Sequence, residues 1–336
     1  AMHHIEAIGL SKRFVVQSEE NAKLGALRRF LRPSLSQITA VDNVSFTVAQ
    51  GEAVAYLGPN GAGKSTTVKM LCGVLVPSEG EIRVLGMNPW KERAKVVRHL
   101  GVVFGQRTQL LWDLAVTESF RFLSVLYGLG RTEYERTLSL LVDLFDIGRL
   151  MHRPVRELSL GQRTKVELAA SLIHRPLVII LDEPTIGMDL LVKDRIRAAL
   201  DVVRQEFTAS IVLASHDFGD VEALCSRSLL LIDGRLRYDG PLADLRSAAS
   251  GRRTVEFALR RSIGPRSAAE LGLPSSAGID STDGRLRVTF FTGQLSTVDV
   301  VSAVLSRVDV ADITIMGPSL EDALRGIYSR SSPHNA

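Results

Sequence analysis

The chain has 336 residues, 45% of them hydrophobic, 23% charged and 6% aromatic, enough for two domains and incompatible with a disordered, collagen-like or disulfide-scaffold protein. Forty-one basic against thirty-seven acidic residues leave +4, too mild a balance to call for a nucleic-acid partner. The longest apolar runs, Leu177 to Leu181 and Leu229 to Ile232, are far shorter than the ~18 residues a membrane-crossing helix needs.

In chain order, short β-like runs come first: Ile5 to Leu10, Val44 to Val48 and Ala53 to Leu57, then a turn and a helix-like segment from Lys64. Further runs at Ile82 to Leu85, Gly101 to Phe104, Val178 to Leu181, Ser210 to Ala214 and Ser228 to Ile232 alternate with helical stretches. That order predicts an α/β sheet with helices packed on it. Between the first two runs, residues 18–37 hold Lys23, Arg28, Arg29 and Arg32 among Leu24, Leu27, Phe30 and Leu31. At helical spacing this is a basic amphipathic insertion, suited to a solvated surface helix or to contact with a membrane surface. From about 107 to 175 the period changes: Phe120, Leu123, Val125, Leu126, Leu138, Leu141, Leu144 and Phe145 recur at three and four residues, which predicts a helical subdomain.

Ser247 to Thr254 reads as a linker, so a first domain is expected over 2–248 and a second over 252–330. The second holds runs at Val255 to Leu259, Leu286 to Phe291 and Ile313 to Met316, with helix-like Leu295 to Leu305 and Leu320 to Tyr328. This suits a small α+β unit of the ferredoxin-like kind. Cys72 and Cys225 lie far apart in apolar sequence and are expected as buried free thiols. No secretory signal is expected at the start.

After the run Ala53 to Leu57 comes Gly58-Pro-Asn60-Gly61-Ala62-Gly63-Lys64-Ser65-Thr66, which fits G-x-x-x-x-G-K-[ST]. Glycines let successive N–H groups turn inward and, with the next helix start, cradle phosphate oxygens. Lys64 is spaced to reach the β- and γ-phosphates and Ser65 to ligate Mg²⁺. The buried-strand run Leu177 to Leu181 ends in Asp182-Glu183-Pro184. Strand alternation is expected to send the two carboxylates to different faces, Asp182 to Mg²⁺ through water and Glu183 to the attacking water. Ser159 and Gly161 precede a helix-like run, Gln162 to Ile173, and mark a second anion site at a helix start.

These motifs, in this order, resemble the ATP-binding-cassette (ABC) ATPases over residues 4 to 246. Leu158-Ser159-Leu160-Gly161-Gln162 is similar to the family's L-S-G-G-Q signature, Gly187-Met188-Asp189 to its D-loop, and Ser215-His216-Asp217 to its switch histidine. The resemblance implies a P-loop NTPase cassette with a mixed sheet core, an antiparallel β subdomain and a helical subdomain, followed by the small α+β domain. It also implies that His216 contacts the γ-phosphate, that Gln106 senses metal and water, and that Phe14 stacks on adenine. Ser159, Gly161, Gln162 and Asp189 would meet nucleotide across a dimer, homo- or heteromeric, that forms with ATP. Leu160 departs from the family's glycine, the residue that tolerates close backbone approach.

The implied activity is ATP hydrolysis that powers a separate transmembrane permease, with the chain peripheral on the cytoplasmic face of the membrane. The insertion 18–37 and the ending Pro318-Ser-Leu-Glu-Asp-Ala-Leu resemble ATPases of bacterial exporters of the daunorubicin-resistance type. Export of a drug-like, lipid-like or glycan-like compound is therefore expected, with an importer subunit or a non-transport ABC ATPase as the alternatives.

Overall fold

The computed structural model describes residues 3–17, 35–104, 108–248, 252–261, 267–282, 284–316 and 324. Gln106, residues 18–34 and the expected final helix, apart from Leu324, lie outside them. The chain divides into two compact units, 1–240 and 241–336.

The first unit carries two sheets. One is antiparallel, in the order β2-β1-β4, built from β1 (His3–Gln17), β2 (Leu35–Ala49) and β4 (Glu79–Val84). Strands β1 and β2 run well past the apolar runs that mark them in sequence. Val15, Val16 and Gln17 pair with Gln37, Ser36 and Leu35, so the last three residues of the expected insertion are strand. Backbone pairing across a ladder carries these residues without an apolar pattern to announce them.

The other sheet has the order β5-β6-β7-β3-β8-β9. Its strands are β3 (Ala53–Leu57), β5 (Leu100–Phe104), β6 (Val178–Asp182), β7 (Ser210–Ala214), β8 (Arg227–Ile232) and β9 (Arg235–Pro241). Neighbours from β5 to β8 are parallel. Every residue of β3 and β7 is buried, as expected of parallel strands covered on both faces, and this makes them legible as unbroken apolar runs. Strand β9, Arg-Leu-Arg-Tyr-Asp-Gly-Pro, has no fully buried residue and went unread for that reason.

Helix α1 (Lys64–Leu71) follows β3, and the short α2 (Arg93–Val96) precedes β5. The helical subdomain contains α3 (Val116–Tyr127), α4 (Arg131–Phe145) and α5 (Leu160–Leu172). Phe120, Leu123, Leu141 and Phe145 are buried in it, whereas Phe122, Val125 and Leu126, on another face of α3, are exposed. Helix α6 (Leu190–Phe207) and α7 (Phe218–Leu224) flank β7 in sequence. One core joins both sheets and α1, with Ile5, Leu10, Phe46, Tyr56, Met70, Leu71, Val178, Ile180 and Leu229 all buried in it. Cys72 and Cys225 are free and buried, and burial pushes each thiol up to about 12, which leaves them unreactive.

The second unit begins with α8 (Leu242–Ala248). Its sheet, β10 (Arg252–Leu259), β11 (Gly278–Thr282), β12 (Arg285–Phe291) and β13 (Val310–Met316), is antiparallel in the order β11-β12-β10-β13. A 3₁₀ turn at Ala269–Leu271 lies between β10 and β11, and α9 (Thr297–Leu305) between β12 and β13. Val255, Phe257, Leu286, Val288, Phe290, Val300 and Val304 form a core of their own. Strand β11 has no signature in the sequence, because Gly-Ile-Asp-Ser-Thr on a sheet edge buries too little to show a period.

Candidate active site

The loop after β3 is pressed against its surroundings where it carries glycine. A Cβ on Gly58 would lie 2.3 Å from the Leu231 carbonyl oxygen, and one on Gly63 would lie 2.2 Å from that of Ala40. Gly63 also has φ +103 and starts α1 without a side-chain cap, so the first-turn N–H groups of that helix remain available to an anion. Ala62 is buried, its N–H donating to the Pro59 carbonyl at 3.2 Å, and Asn60 and Gly61 are exposed at the tip. Thr66 is half-buried. Lys64 Nζ folds back over the loop and donates to the carbonyls of Gly58 and Pro59. Burial holds its ammonium below the usual lysine range, against the charges of Glu183 and Asp182.

Ser65, Asp182 and Glu183 line one open cleft of about 730 Å³, together with Lys69, Val74, Phe104, Leu160, Arg163, Ile186 and Gly187. The two carboxylates therefore reach the same cleft, and strand alternation is not what separates them. Strand β6 ends at Asp182, and Glu183 stands beyond it with φ +53, in a region that few non-glycine residues occupy. Its N–H donates to the Ala214 carbonyl at 2.8 Å. Its carboxylate accepts the backbone N–H of His216 at 3.0 Å and the Ser215 hydroxyl at 3.4 Å. His216 Nδ1 stands 2.7 Å from Glu183 Oε1. Parallel pairing of β6 with β7, Asp182 opposite Ala214, delivers Ser215 and His216 to that position.

Burial, then the Glu183 charge, raises Asp182 above the usual carboxylate range, opposed by Lys64 and Lys69. A nearby cation would relieve that cost. Ser65 and Asp182 are hard oxygen donors of the kind Mg²⁺ takes in small number while keeping waters or phosphate oxygens. Among the described residues no cluster of three or more His, Cys, Asp or Glu could hold a metal ion.

Residues 41–186 match the family described as ABC transporter. The chain is 36% identical over 208 residues to the ABC transporter ATP-binding protein NatA of Bacillus subtilis (strain 168), covering 62% of this chain and 84% of NatA. The chain belongs to the ABC transporter ATP-binding proteins. It is also 36% identical over 221 residues to the probable multidrug ABC transporter ATP-binding protein YbhF of Escherichia coli (strain K12), spanning 38% of YbhF's length. A solved structure of the ATP binding subunit of an ABC transporter superposes with a TM-score of 0.60 at 28% identity, covering 72% of this chain and 91% of that one.

The other residues of the ABC pattern sit as follows. Ser159 caps α5 in a reciprocal box: its hydroxyl accepts the Gln162 N–H at 3.3 Å, and Gln162 Oε1 accepts the Ser159 N–H at 3.1 Å. The helix thus starts at Leu160, ahead of the expected Gln162, and Gly161 lies in its first turn. Leu160 is 53% exposed and reaches toward Gly187, where a Cβ would meet its Cδ2 at 3.4 Å. The Asp189 carboxylate accepts the Val192 N–H at 2.9 Å and caps α6, two residues beyond Gly187 of the cleft lining. Phe14 is half-buried on β1 with Lys12 Nζ 5.3 Å from its ring centroid, and is not among the residues that line the cleft. Lys69 and Arg163 line the cleft unforeseen. Lys69 stands one turn after Ser65 on α1, and Arg163 follows the signature directly, so helical spacing could have found both.

Proposed function

We propose that this ABC transporter ATP-binding subunit hydrolyses ATP and so powers an exporter of drug-like, lipid-like or glycan-like compounds. The observation that carries the reading is Glu183 Oε1 held 2.7 Å from His216 Nδ1 beside a cleft that Ser65 and Asp182 share. Water attacks the γ-phosphorus of ATP in line, the bond from that phosphorus to the β–γ bridging oxygen breaks, and ADP and phosphate leave. Glu183 orients the water and accepts its proton, and His216 and Lys64 bind the γ-phosphate oxygens. Ser65, and Asp182 through water, would hold Mg²⁺, which when bound would offset the charge developing on the phosphoryl oxygens. Gln106 monitors metal and water, and Phe14 stacks on adenine. Ser159, Gly161, Gln162 and Asp189 serve the nucleotide of a second cassette.

The permease is a separate membrane protein. Phe122, Val125 and Leu126 at helical spacing on α3, with Trp112 and Leu114 just before it, are exposed apolar residues suited to receive its cytoplasmic helices. Among the described residues no helix is long and apolar enough to cross a membrane, and we place the subunit at the cytoplasmic face. Export is favoured over import by the likeness to a probable multidrug protein and by an accessory unit that combines four strands with a helix rather than being all β. We assign the cassette to 2–248 and the accessory domain to 252–330.

Glu183→Gln keeps the shape of the site and removes the base. Expected is ATP binding at the parental affinity with turnover lowered about 10²–10⁴-fold, the span of a positioned general base. Parental turnover in a steady-state phosphate-release assay would overturn the assignment.

A further inference from the structure

A charge network centred on one fully buried carboxylate adjoins Glu183 and His216 through Thr185, Ser215 and Asp217. Asp220, on α7, is 0% exposed. One carboxylate oxygen accepts the Thr185 hydroxyl, two residues after Glu183, and the other accepts Arg197 Nε at 2.8 Å and Nη2 at 2.7 Å. The same guanidinium reaches Asp217 Oδ1 at 3.3 Å and Asp194 Oδ1 at 2.9 Å, and Lys193 Nζ closes on the other oxygen of Asp217. Asp217, next to His216, takes its own N–H to the Ser215 hydroxyl at 3.0 Å and caps α7 by accepting the Asp220 N–H at 3.2 Å. Gly219 leaves room for this crossing, since a Cβ there would stand 2.8 Å from Arg197 Nη2.

Two facts make the network more than a helix brace. Glu183 holds a left-handed backbone conformation, which persists only where its surroundings over-determine it. The chain that leaves Glu183 is pinned at Thr185, and the chain that leaves His216 is pinned at Asp217, both to the Arg197–Asp220 pair. A buried carboxylate that loses a donor pays the desolvation of the unpaired group, so its partners are strongly held.

We infer that Asp220, acting through Thr185 and Arg197, is a positioning residue that holds the Glu183 carboxylate and His216 in register for water attack. This deepens the ATPase reading and rests on it. Because Arg197 and Lys193 lie on α6, whose start is capped by Asp189, the register also depends on where that helix sits.

The test uses the full chain with Mg-ATP. Thr185→Val removes the hydroxyl and keeps the shape; Thr185→Ser restores the hydroxyl; Arg197→Lys keeps the charge and loses the fork that spans Asp217 and Asp220. Expected for Thr185→Val and Arg197→Lys is a fall in kcat of about 10-fold, inside the ~100-fold that a 1 Å misplacement costs. Affinity for a fluorescent ATP analogue stays at the parental value, and Thr185→Ser returns kcat to near parental. Parental kcat in both Thr185→Val and Arg197→Lys, or equal loss in Thr185→Val and Thr185→Ser, would overturn the positioning role alone. A parent chain with no Mg-ATP turnover, with or without its permease, would overturn the ATPase reading and this inference together.

Discussion

His174 stacks on Tyr127 with ring centroids 3.8 Å apart and planes at 4°. Its Nε2 donates to the Leu100 carbonyl at 2.9 Å, and Nδ1 is buried with no partner among the described residues. Protonation would set a charged donor into that environment, so burial, against the Leu100 bond, lowers the imidazole from 6.5 to about 4. The unfolded chain then takes a proton below pH 6.5 that the folded chain refuses until about pH 4, and stability falls with pH across that window. The loss is at most about 3 kcal/mol by pH 4 and nil above pH 7. His174→Asn should flatten the dependence of the urea midpoint on pH between 6.5 and 4. An unchanged slope would show that His174 does not titrate there. At this scale the motif residues were legible because their spacing is local: Lys64 and Ser65 open a helix, and Asp182 ends a strand. The contact of Glu183 with His216 was not, since thirty-odd intervening residues carry no period that reports it.

Elements carry some site residues by simple helix chemistry. Asp189, expected on nucleotide by resemblance, serves in this structure as the N-cap of α6. Asn caps about as well as Asp, while Ala costs about 1 kcal/mol. Asp189→Ala should therefore lower the denaturation free energy by about that amount and Asp189→Asn should leave it near parental; equal losses in the two variants would remove the capping role. The box Ser159–Gln162 explains why a serine three residues before a glutamine marks the start of α5 in sequence. The unread strands share a cause. Strand β9 buries no residue fully and β11 lies at a sheet edge, so pairing with a neighbour, not local pattern, makes them strands.

For the molecule as a whole, the P-loop and the signature each open a helix, α1 without a side-chain cap and α5 capped by Ser159, and both are proposed as anion-binding helix starts. A second copy completes the site if the signature of one chain covers the ATP of the other. The Glu183→Gln chain with Mg-ATP is expected to double its mass in light scattering, and addition of Ser159→Arg to it should prevent the doubling, while Ser159→Arg in the parental chain should abolish turnover. Persistent monomer in the first case would overturn a composite site built from two copies of this chain.

Sequence alone determined the class of this protein and the loop and strand end that meet at its cleft, because both are written in contiguous stretches whose backbone geometry follows from their own residues. It also determined the helical subdomain and the buried parallel strands, where burial leaves an unbroken or periodic apolar trace. Tertiary structure decided what stands next to what. Placing β7 between β6 and β3 brings His216 onto Glu183, and packing α6 against α7 joins Arg197 to Asp220 beneath them. The physical reason is that strand order and helix packing are chosen by the sum of core contacts over the whole unit, and no local segment carries that sum.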